Sequence, residues 1–165
     1  MKKVSIILFL LFNQNALAQE ISGVPKIIDG DTVHINNYKI RLEGIDAPEI
    51  KQKCEKPFFS ISFIISYSLN KEYHCGKISK EKLKKKIGSK KIICISKSKD
   101  RYKRYLATCY LKKENLNRWM VRNGHAISYK KYSKEYLVDE DFAKRNSLGL
   151  WVGKFIEPEK WRKQR

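Results

Sequence analysis

Two acidic clusters near the start of the chain have residue types that could hold a cation. The first is Asp29-Gly30-Asp31-Thr32, the second is Asp46-Ala47-Pro48-Glu49, and Arg41 lies between them in the sequence. Converging carboxylates repel one another unless a cation or a basic group compensates their charge. Oxygen ligands without cysteine or histidine suit a hard cation such as Ca²⁺ or Mg²⁺. A cation beside Arg41 would stabilise the charge that develops on phosphate oxygens during displacement.

Each cluster alone has an ordinary explanation, because Asp-Gly and Asp-x-Pro sequences commonly begin turns. The complete string is more specific: an apolar strand, D-G-D-T, a hairpin and then R-L-E-G-I-D-A-P-E. A carboxylate that is not used by the cation could activate a water molecule. Residues 29–49 are therefore a candidate site for a cation and a phosphate.

A β-hairpin is the element that would bring the two clusters together. Apolar and polar residues alternate in Thr32–Ile35 and again in Tyr38–Leu42, and Asn36-Asn37 separates the two runs. Alternation on both sides of a two-residue turn predicts a hairpin, and asparagine tolerates the positive φ that such a turn needs. Because a hairpin returns the chain, both clusters are expected at the same end.

The rest of the chain contains further strands followed by helices. This order favours an α+β domain built on a small barrel. Residues 50–76 show no clear period, and within them residues 58–69 could form a helix, a strand or a loop. Periodicity, composition and the glycines that end helices predict helices at 77–87, 115–123 and 136–146 and strands at 91–96 and 105–111.

The four cysteines suggest two disulfides, because their number is even and the chain has features of export. Three pairings are possible in principle. If strands 91–96 and 105–111 form a hairpin, Cys94 and Cys109 could face each other, which leaves Cys54 to pair with Cys75. No CxxC pair is present, so a zinc site is not expected.

Residues 1–18 have the organisation of a secretory signal peptide. Lys2 and Lys3 precede an apolar run over residues 4–12, and Ala16-Leu17-Ala18 matches a cleavage signal. A buried strand or an uncleaved anchor is the alternative, although the run is shorter than the roughly 20 residues of a membrane span. We therefore expect an exported protein, periplasmic or extracellular, without a membrane span after cleavage.

The composition favours a polyanionic partner. The chain carries 36 Lys+Arg against 17 Asp+Glu, a formal net charge of +19. Such an excess suits nucleic acid, although a solvated lysine-rich surface or attraction to anionic membranes is an alternative explanation. Tyr102, Tyr129 and Tyr132 could stack on the bases of single strands, or could simply pack within the protein.

Four motifs, in order, resemble the thermonuclease, or staphylococcal nuclease-like, family. Residues 24–49 resemble its first motif, and residues 100–107 resemble its second motif, D-x-Y-G-R-x-L-A. Residues 116–124 resemble the V-N-x-x-L-V-x-x-G helix, and Gly149-Leu150-Trp151 resembles the closing G-L/I-W. The resemblance implies an OB-fold, a five-stranded β-barrel with about three packed helices, over residues 19–153. Residues 154–165 would then form a basic C-terminal tail.

The resemblance also implies roles for individual residues. Asp31, Asp46 and the backbone carbonyl of Ala47 would bind Ca²⁺, and Glu49 would be the general base. The forked guanidinium groups of Arg41 and Arg104 would clamp the scissile phosphate.

The sequence departs from the family pattern at two positions. Many members have threonine where this chain has Ala47, a change that a carbonyl ligand tolerates. Lys103 replaces the glycine before Arg104, and it would be strained if the turn needs a positive φ.

The function implied by the resemblance is secreted, calcium-dependent hydrolysis of DNA, with RNA as a second expected substrate. The sequence leaves the oligomeric state open, and a monomer is the default expectation. One alternative is a non-catalytic basic OB-fold module that only binds nucleic acid. Another is an exported structural protein stabilised by Ca²⁺. The paired arginines count against the structural alternative, and the acidic cluster counts against the pure binder, which has no use for carboxylates facing phosphates.

Overall fold

The computed structural model describes residues 18–61 and 67–164, with the backbone alone at 58–61 and 67–69. The predicted signal peptide lies almost entirely outside the described residues. Every helix within the described ranges is too short or too polar to cross a lipid bilayer.

A curled antiparallel sheet with one parallel pair forms the centre of the molecule. Its strand order is β1-β8-β9-β4-β3-β2, and β10 pairs with β9 beside this path. Two smaller sheets are formed by β11 with β5 and by β6 with β7. The strands are β1 (Gln19–Gly23), β2 (Lys26–Ile27), β3 (Thr32–Ile35), β4 (Tyr38–Leu42), β5 (Ile45–Asp46), β6 (Cys54–Ile61), β7 (Tyr67–Tyr73), β8 (Ile92–Lys99), β9 (Tyr105–Leu111), β10 (Glu114–Asn115) and β11 (Ile127–Ser128).

The predicted hairpin of β3 and β4 is confirmed. Its register pairs Val33 with Ile40, both of which are buried, so the apolar set of each strand faces the core. Asn36 has a φ of 51°, as the tight turn requires.

Strands β8 and β9 pair antiparallel, with Cys94 directly opposite Cys109. The predicted bond between these two cysteines is present. The other side of β9 pairs in parallel with β4, where Arg41 is opposite Leu106. This parallel contact joins the N-terminal hairpin to the second half of the chain.

The segment without a clear period contains strands. β6 and β7 form an antiparallel hairpin whose base is closed by the predicted bond between Cys54 and Cys75. Of the three alternatives for residues 58–69, the strand is therefore correct wherever the backbone is described. Cys75 is also the first residue of the following helix, so the bond ties the hairpin to that helix.

The described residues form four α-helices and one short 3₁₀ helix around the sheets, close to the expected number of about three. Asn115 caps the second helix, because its side chain accepts a hydrogen bond from the Arg118 amide at 2.9 Å. Part of the segment expected to be a tail is helical. The helices are α1 (Cys75–Ile87), α2 (Leu116–Arg122), α3 (Leu137–Arg145), the 3₁₀ helix (Gly149–Val152) and α4 (Pro158–Lys163).

The main core lies between the curled sheet and helices α1 and α2. Leu83 of α1 and Met120 of α2 are fully buried against the inner face of the sheet. Helix α3 instead buries the charged residues Asp139 and Glu140, and Leu137 is only half-buried. Asp139 accepts hydrogen bonds from Arg118 and Arg122, so its buried charge is compensated.

Candidate active site

Arg41 of β4 joins the two acidic clusters. Its Nη1 donates to Oδ1 of Asp31, and its Nη2 donates to Oδ1 of Asp46 at 2.9 Å. The side chains of Asp31 and Asp46 are only 4% and 1% exposed. Burial disfavours the charge on Arg41, but the two carboxylates outweigh it and raise the pKa of the guanidinium.

The turn before β3 is held in place around Asp31. Oδ2 of Asp31 accepts a hydrogen bond from the amide of Ala47 at 2.7 Å. The backbone amide of Asp31 donates to Oδ1 of Asp29 at 2.9 Å. Gly30 permits this packing, since an added Cβ would lie 2.7 Å from that of Ala47 and 2.0 Å from Oγ of Ser79 in α1. Asp29 supports the turn through its hydrogen bond with the Asp31 amide, and burial together with the neighbouring Asp31 carboxylate raises the pKa of Asp29 to about 7.

Glu49 sits at the edge of the acidic clusters and remains accessible. Its side chain is 36% exposed, whereas Asp31 and Asp46 are buried. Its amide donates to Oε1 of the buried Gln52 at 3.3 Å. Gly76 of α1 lies so close that an added Cβ would be 1.7 Å from the Glu49 carbonyl oxygen. This close packing against helix α1 therefore fixes the position of the Glu49 backbone.

Arg104 is held by a turn that Asp100 organises. Oδ1 of Asp100 accepts the amides of Tyr102 and Arg104, each at 2.9 Å, and Oδ2 accepts Nε of Arg104 at 2.7 Å. Hydrogen bonds from Arg104 hold the pKa of Asp100 below its usual value against the effect of burial. Lys103 has a φ of 61°, so this turn does use the left-handed conformation that glycine favours.

The parallel pairing of β4 with β9 explains why two arginines from distant motifs meet. Arg41 pairs with Leu106, and Arg104 precedes Leu106 by two positions. Side chains two residues apart project from the same face of an extended chain. Arg41, Leu106 and Arg104 accordingly line one open groove of about 1110 Å³.

Glu49 and all three tyrosines proposed for substrate binding line the same groove. Strand β11 pairs with β5 and delivers Tyr129, whose ring is 4.7 Å from that of Tyr132. Tyr102 and Tyr132 are 63% and 68% exposed, which favours base stacking over core packing for these two. Tyr129 is half-buried.

Arg162 of α4 reaches the acidic clusters as well, which the sequence analysis missed. Its Nη1 donates to Oδ1 of Asp46 at 2.9 Å and to Oε1 of Glu49 at 3.0 Å, and its Nη2 donates to Oδ2 of Asp46 at 3.1 Å. No motif contains Arg162, and only the basic helical character of the last residues could have drawn attention to it. Its guanidinium is the second, after that of Arg41, to bond to Asp46, and it lines the same groove.

The predicted cation ligands have suitable chemistry. Asp31 and Asp46 offer carboxylate oxygens, and all four cysteines are occupied in disulfides. Across the described part of the chain, no three His, Cys, Asp or Glu side chains are grouped closely enough to form a metal cage by themselves. These carboxylates, whose negative charge is compensated by Arg41 and Arg162, suit a hard cation. Such a cation would complete its coordination shell with water or phosphate oxygens.

Comparisons with known proteins find a nuclease family and relatives that are named nucleases. The model of a family described as staphylococcal nuclease homologue matches residues 39–153. The chain is similar to an uncharacterized endonuclease of Haemophilus influenzae, with 32% identity over 96% of this chain and 82% of that protein. An uncharacterized endonuclease of Escherichia coli O157:H7 is 29% identical over 91% of this chain and 89% of that protein. A probable staphylococcal-like nuclease of rice is 32% identical over 81% of this chain and 30% of that protein.

The matched region contains Arg41, Asp46, Glu49 and Arg104, while Asp31 and Arg162 lie outside it. The family match confirms the predicted OB-fold and the predicted enzyme class, a hydrolase of phosphodiester bonds that acts on nucleic acid. The chain belongs to the staphylococcal nuclease homologue family.

Proposed function

We propose that the chain is an exported, calcium-dependent nuclease that hydrolyses phosphodiester bonds in DNA and RNA as a monomer. The observation that carries this proposal is the shared groove. Arg41, Glu49 and Arg104 line it, and Arg41 bonds to the buried carboxylates of Asp31 and Asp46. An accessible carboxylate beside two guanidinium groups is suited to attack on a phosphate diester.

Glu49 is the general base in this proposal. Its exposed carboxylate accepts a proton from the attacking water, and its backbone bonds to Gln52 orient it. Asp31, Asp46 and the carbonyl of Ala47 would hold Ca²⁺, which stabilises negative charge on the phosphate when it is bound.

Arg41 and Arg104 bind the non-bridging phosphate oxygens. A guanidinium has five N–H donors, and the bonds from Arg41 to Asp31 and Asp46 leave donors available for substrate. Arg104 is braced by Asp100 in the same way. Each carboxylate therefore holds an arginine in a fixed orientation before substrate arrives, which lowers the entropic cost of binding.

Tyr102, Tyr129 and Tyr132 provide faces on which bases of an unpaired strand can stack. Their position in the groove supports binding of single strands or of locally opened duplex. The cations Arg101, Lys131 and Lys163 line the groove too and would neutralise neighbouring phosphates.

Export is supported by the signal-like residues 1–18 and by two disulfides, which persist in oxidising compartments. In this proposal the mature chain begins at Gln19, its nuclease domain covers residues 19–153, and it acts in the periplasm or the medium. Mass spectrometry of the exported protein should find Gln19 at its N-terminus, and an intact N-terminus would contradict cleavage.

The oxidised protein from Gln19 onwards should be incubated with single-stranded DNA, double-stranded DNA and RNA, with Ca²⁺ or with a chelator. We expect cleavage that requires Ca²⁺. An Asp31→Asn variant is the matched control, since it removes one carboxylate charge and keeps the side-chain shape. Tight binding without cleavage under any condition would instead support the non-catalytic binding module, and thermal stabilisation by Ca²⁺ with neither activity would support a structural protein.

A further inference from the structure

Helix α4 places a cation on the two carboxylates that matter most to the reaction. The guanidinium of Arg162 bonds to both oxygens of Asp46 and to Oε1 of Glu49. Oδ1 of Asp46 also accepts Nη2 of Arg41. Both oxygens of a proposed calcium ligand and one oxygen of the proposed base are therefore engaged by guanidinium groups.

The chain just before α4 is firmly attached to the site. The buried Gln52 donates from Nε2 to the carbonyl of Ile156 at 2.6 Å, while its Oε1 accepts the amide of Glu49. Lys154 and Glu55 exchange two backbone hydrogen bonds, at 2.8 and 3.0 Å. These bonds deliver the start of α4 to the acidic clusters.

The helix is short and its outer residues are exposed. It spans Pro158–Lys163, and only Pro158 within it is buried. Lys160 and Lys163 pair with Glu157 and Glu159 of the same segment. Among the ion pairs of α4, those of Arg162 are the ones that join the helix to the acidic clusters.

Building on the proposed function, we propose that Arg162 is a further active-site residue, an internal counter-ion that competes with Ca²⁺ for Asp46 and shields Glu49. Arg41 bonds only to Oδ1 of Asp46, whereas Arg162 bonds to Oδ1 and also to Oδ2. Ca²⁺ that binds through Oδ2 therefore has to replace the bond from Arg162, and the like charges of the two cations repel at that distance. Arg162 would leave Asp46 when Ca²⁺ is bound there, and Glu49 would then be free to accept a proton from water. The displaced guanidinium stays within the groove, which it lines together with Lys131 and Lys163, and there it faces phosphate.

Direct titration with Ca²⁺ by calorimetry tests this competition in the chain from Gln19 to Arg165. Arg162→Gln should bind Ca²⁺ about tenfold more tightly than the wild type, because the three charge-assisted hydrogen bonds of Arg162 to Asp46 and Glu49 no longer have to break. Lys163→Gln is the matched control, since it removes the same charge from the same helix and groove without touching Asp46 or Glu49. We expect its affinity to stay within about twofold of the wild type. Arg162→Lys keeps the positive charge but loses the forked donors of the guanidinium, and its Ca²⁺ affinity should lie between those of the wild type and Arg162→Gln.

A second readout follows the helix itself. The amide of Trp161 donates to the Glu157 carbonyl at 2.9 Å, and that of Gln164 donates to the Trp161 carbonyl at 3.3 Å. Hydrogen exchange at these two amides should become faster when Ca²⁺ is added to the wild type and should change little in Arg162→Gln.

Equal Ca²⁺ affinity of Arg162→Gln and Lys163→Gln would overturn the inference, as would slower exchange in α4 on Ca²⁺ addition. The Asp31→Asn variant separates this failure from that of the proposed function. If Ca²⁺ affinity falls in Asp31→Asn but is unchanged in Arg162→Gln, only the proposed competition is contradicted. If the wild type does not bind Ca²⁺, or if Asp31→Asn binds it equally well, the proposed calcium site is contradicted and the competition with it.

Discussion

Arg41 shows how a single side chain can connect sequence motifs to chemistry. It bonds to Asp31 and Asp46, and it projects into the groove that Glu49 and Arg104 also line. This convergence was predictable from the sequence, because a hairpin must bring its flanking segments to one end. Arg162 was not predictable in this way, because it comes from a helix beyond every recognised motif.

Lys103 occupies the position where the family pattern has glycine. Its φ of 61° is unfavourable for a residue with a Cβ, and Lys103→Gly should therefore raise the free energy of unfolding by about 1 kcal/mol. Because Asp100 already fixes the turn around Arg104, the cleavage rate should change less than about twofold. Urea unfolding and a cleavage assay measure both effects. A large gain in rate would mean that Lys103 displaces Arg104.

His125 is expected to make stability depend on pH. Burial and the nearby Lys82 lower its pKa from 6.5 to about 4, so the folded state binds this proton less readily than the unfolded chain does. The stabilising effect is complete above the unfolded pKa and is lost as the pH falls through the folded pKa. Between about pH 7 and pH 4, the wild type should lose roughly 2–3 kcal/mol more than His125→Gln in urea unfolding. Identical pH profiles would contradict this role for the half-buried imidazole.

At the scale of elements, helix α1 sets the position of Glu49, the proposed general base. An added Cβ on Gly76 would lie 1.7 Å from the Glu49 carbonyl oxygen. Gly76→Ala should reduce stability by roughly 1–3 kcal/mol and slow cleavage by about tenfold or more, because the base is displaced. The rate is measured at saturating DNA, and stability by urea unfolding.

Gly88→Ala is the control at the other end of α1. Gly88 has a φ of 61° and no atom within 4 Å of an added Cβ. The substitution should cost about 1 kcal/mol of stability and leave the cleavage rate unchanged. Equal losses of rate in both variants would show that α1 does not position Glu49.

Elements with a clear period were predictable, and elements without one were not. Alternation predicted β3 and β4, and helical spacing with caps predicted α2 and α3. The β6–β7 hairpin was left open because its apolar residues follow no single period. The parallel pairing of β4 with β9 was not predicted, because it depends on tertiary closure of the sheet and leaves no signal in the local pattern.

At the scale of the whole molecule, two disulfides reinforce a small, strongly basic domain. The bond between Cys54 and Cys75 closes 21 residues and meets α1 next to Gly76, whereas that between Cys94 and Cys109 lies within the sheet. Replacing either pair with alanine should lower the free energy of unfolding by about 3 kcal/mol. Removing the first pair should also slow cleavage, because it loosens α1 beside Glu49. Guanidinium unfolding and cleavage rates of the two double variants check this, and equal rates would contradict the difference.

The central claim is that the groove hydrolyses phosphodiesters with Glu49 as the base. Glu49→Gln tests it most directly, because the variant keeps the shape of the side chain and an oxygen that can still accept from Arg162. Its affinity for single-stranded DNA, measured by fluorescence anisotropy in chelator, should stay within about twofold of the wild type. Its cleavage rate with Ca²⁺ should fall by about 10²–10⁴-fold. A rate equal to that of the wild type would place the base elsewhere and contradict the account.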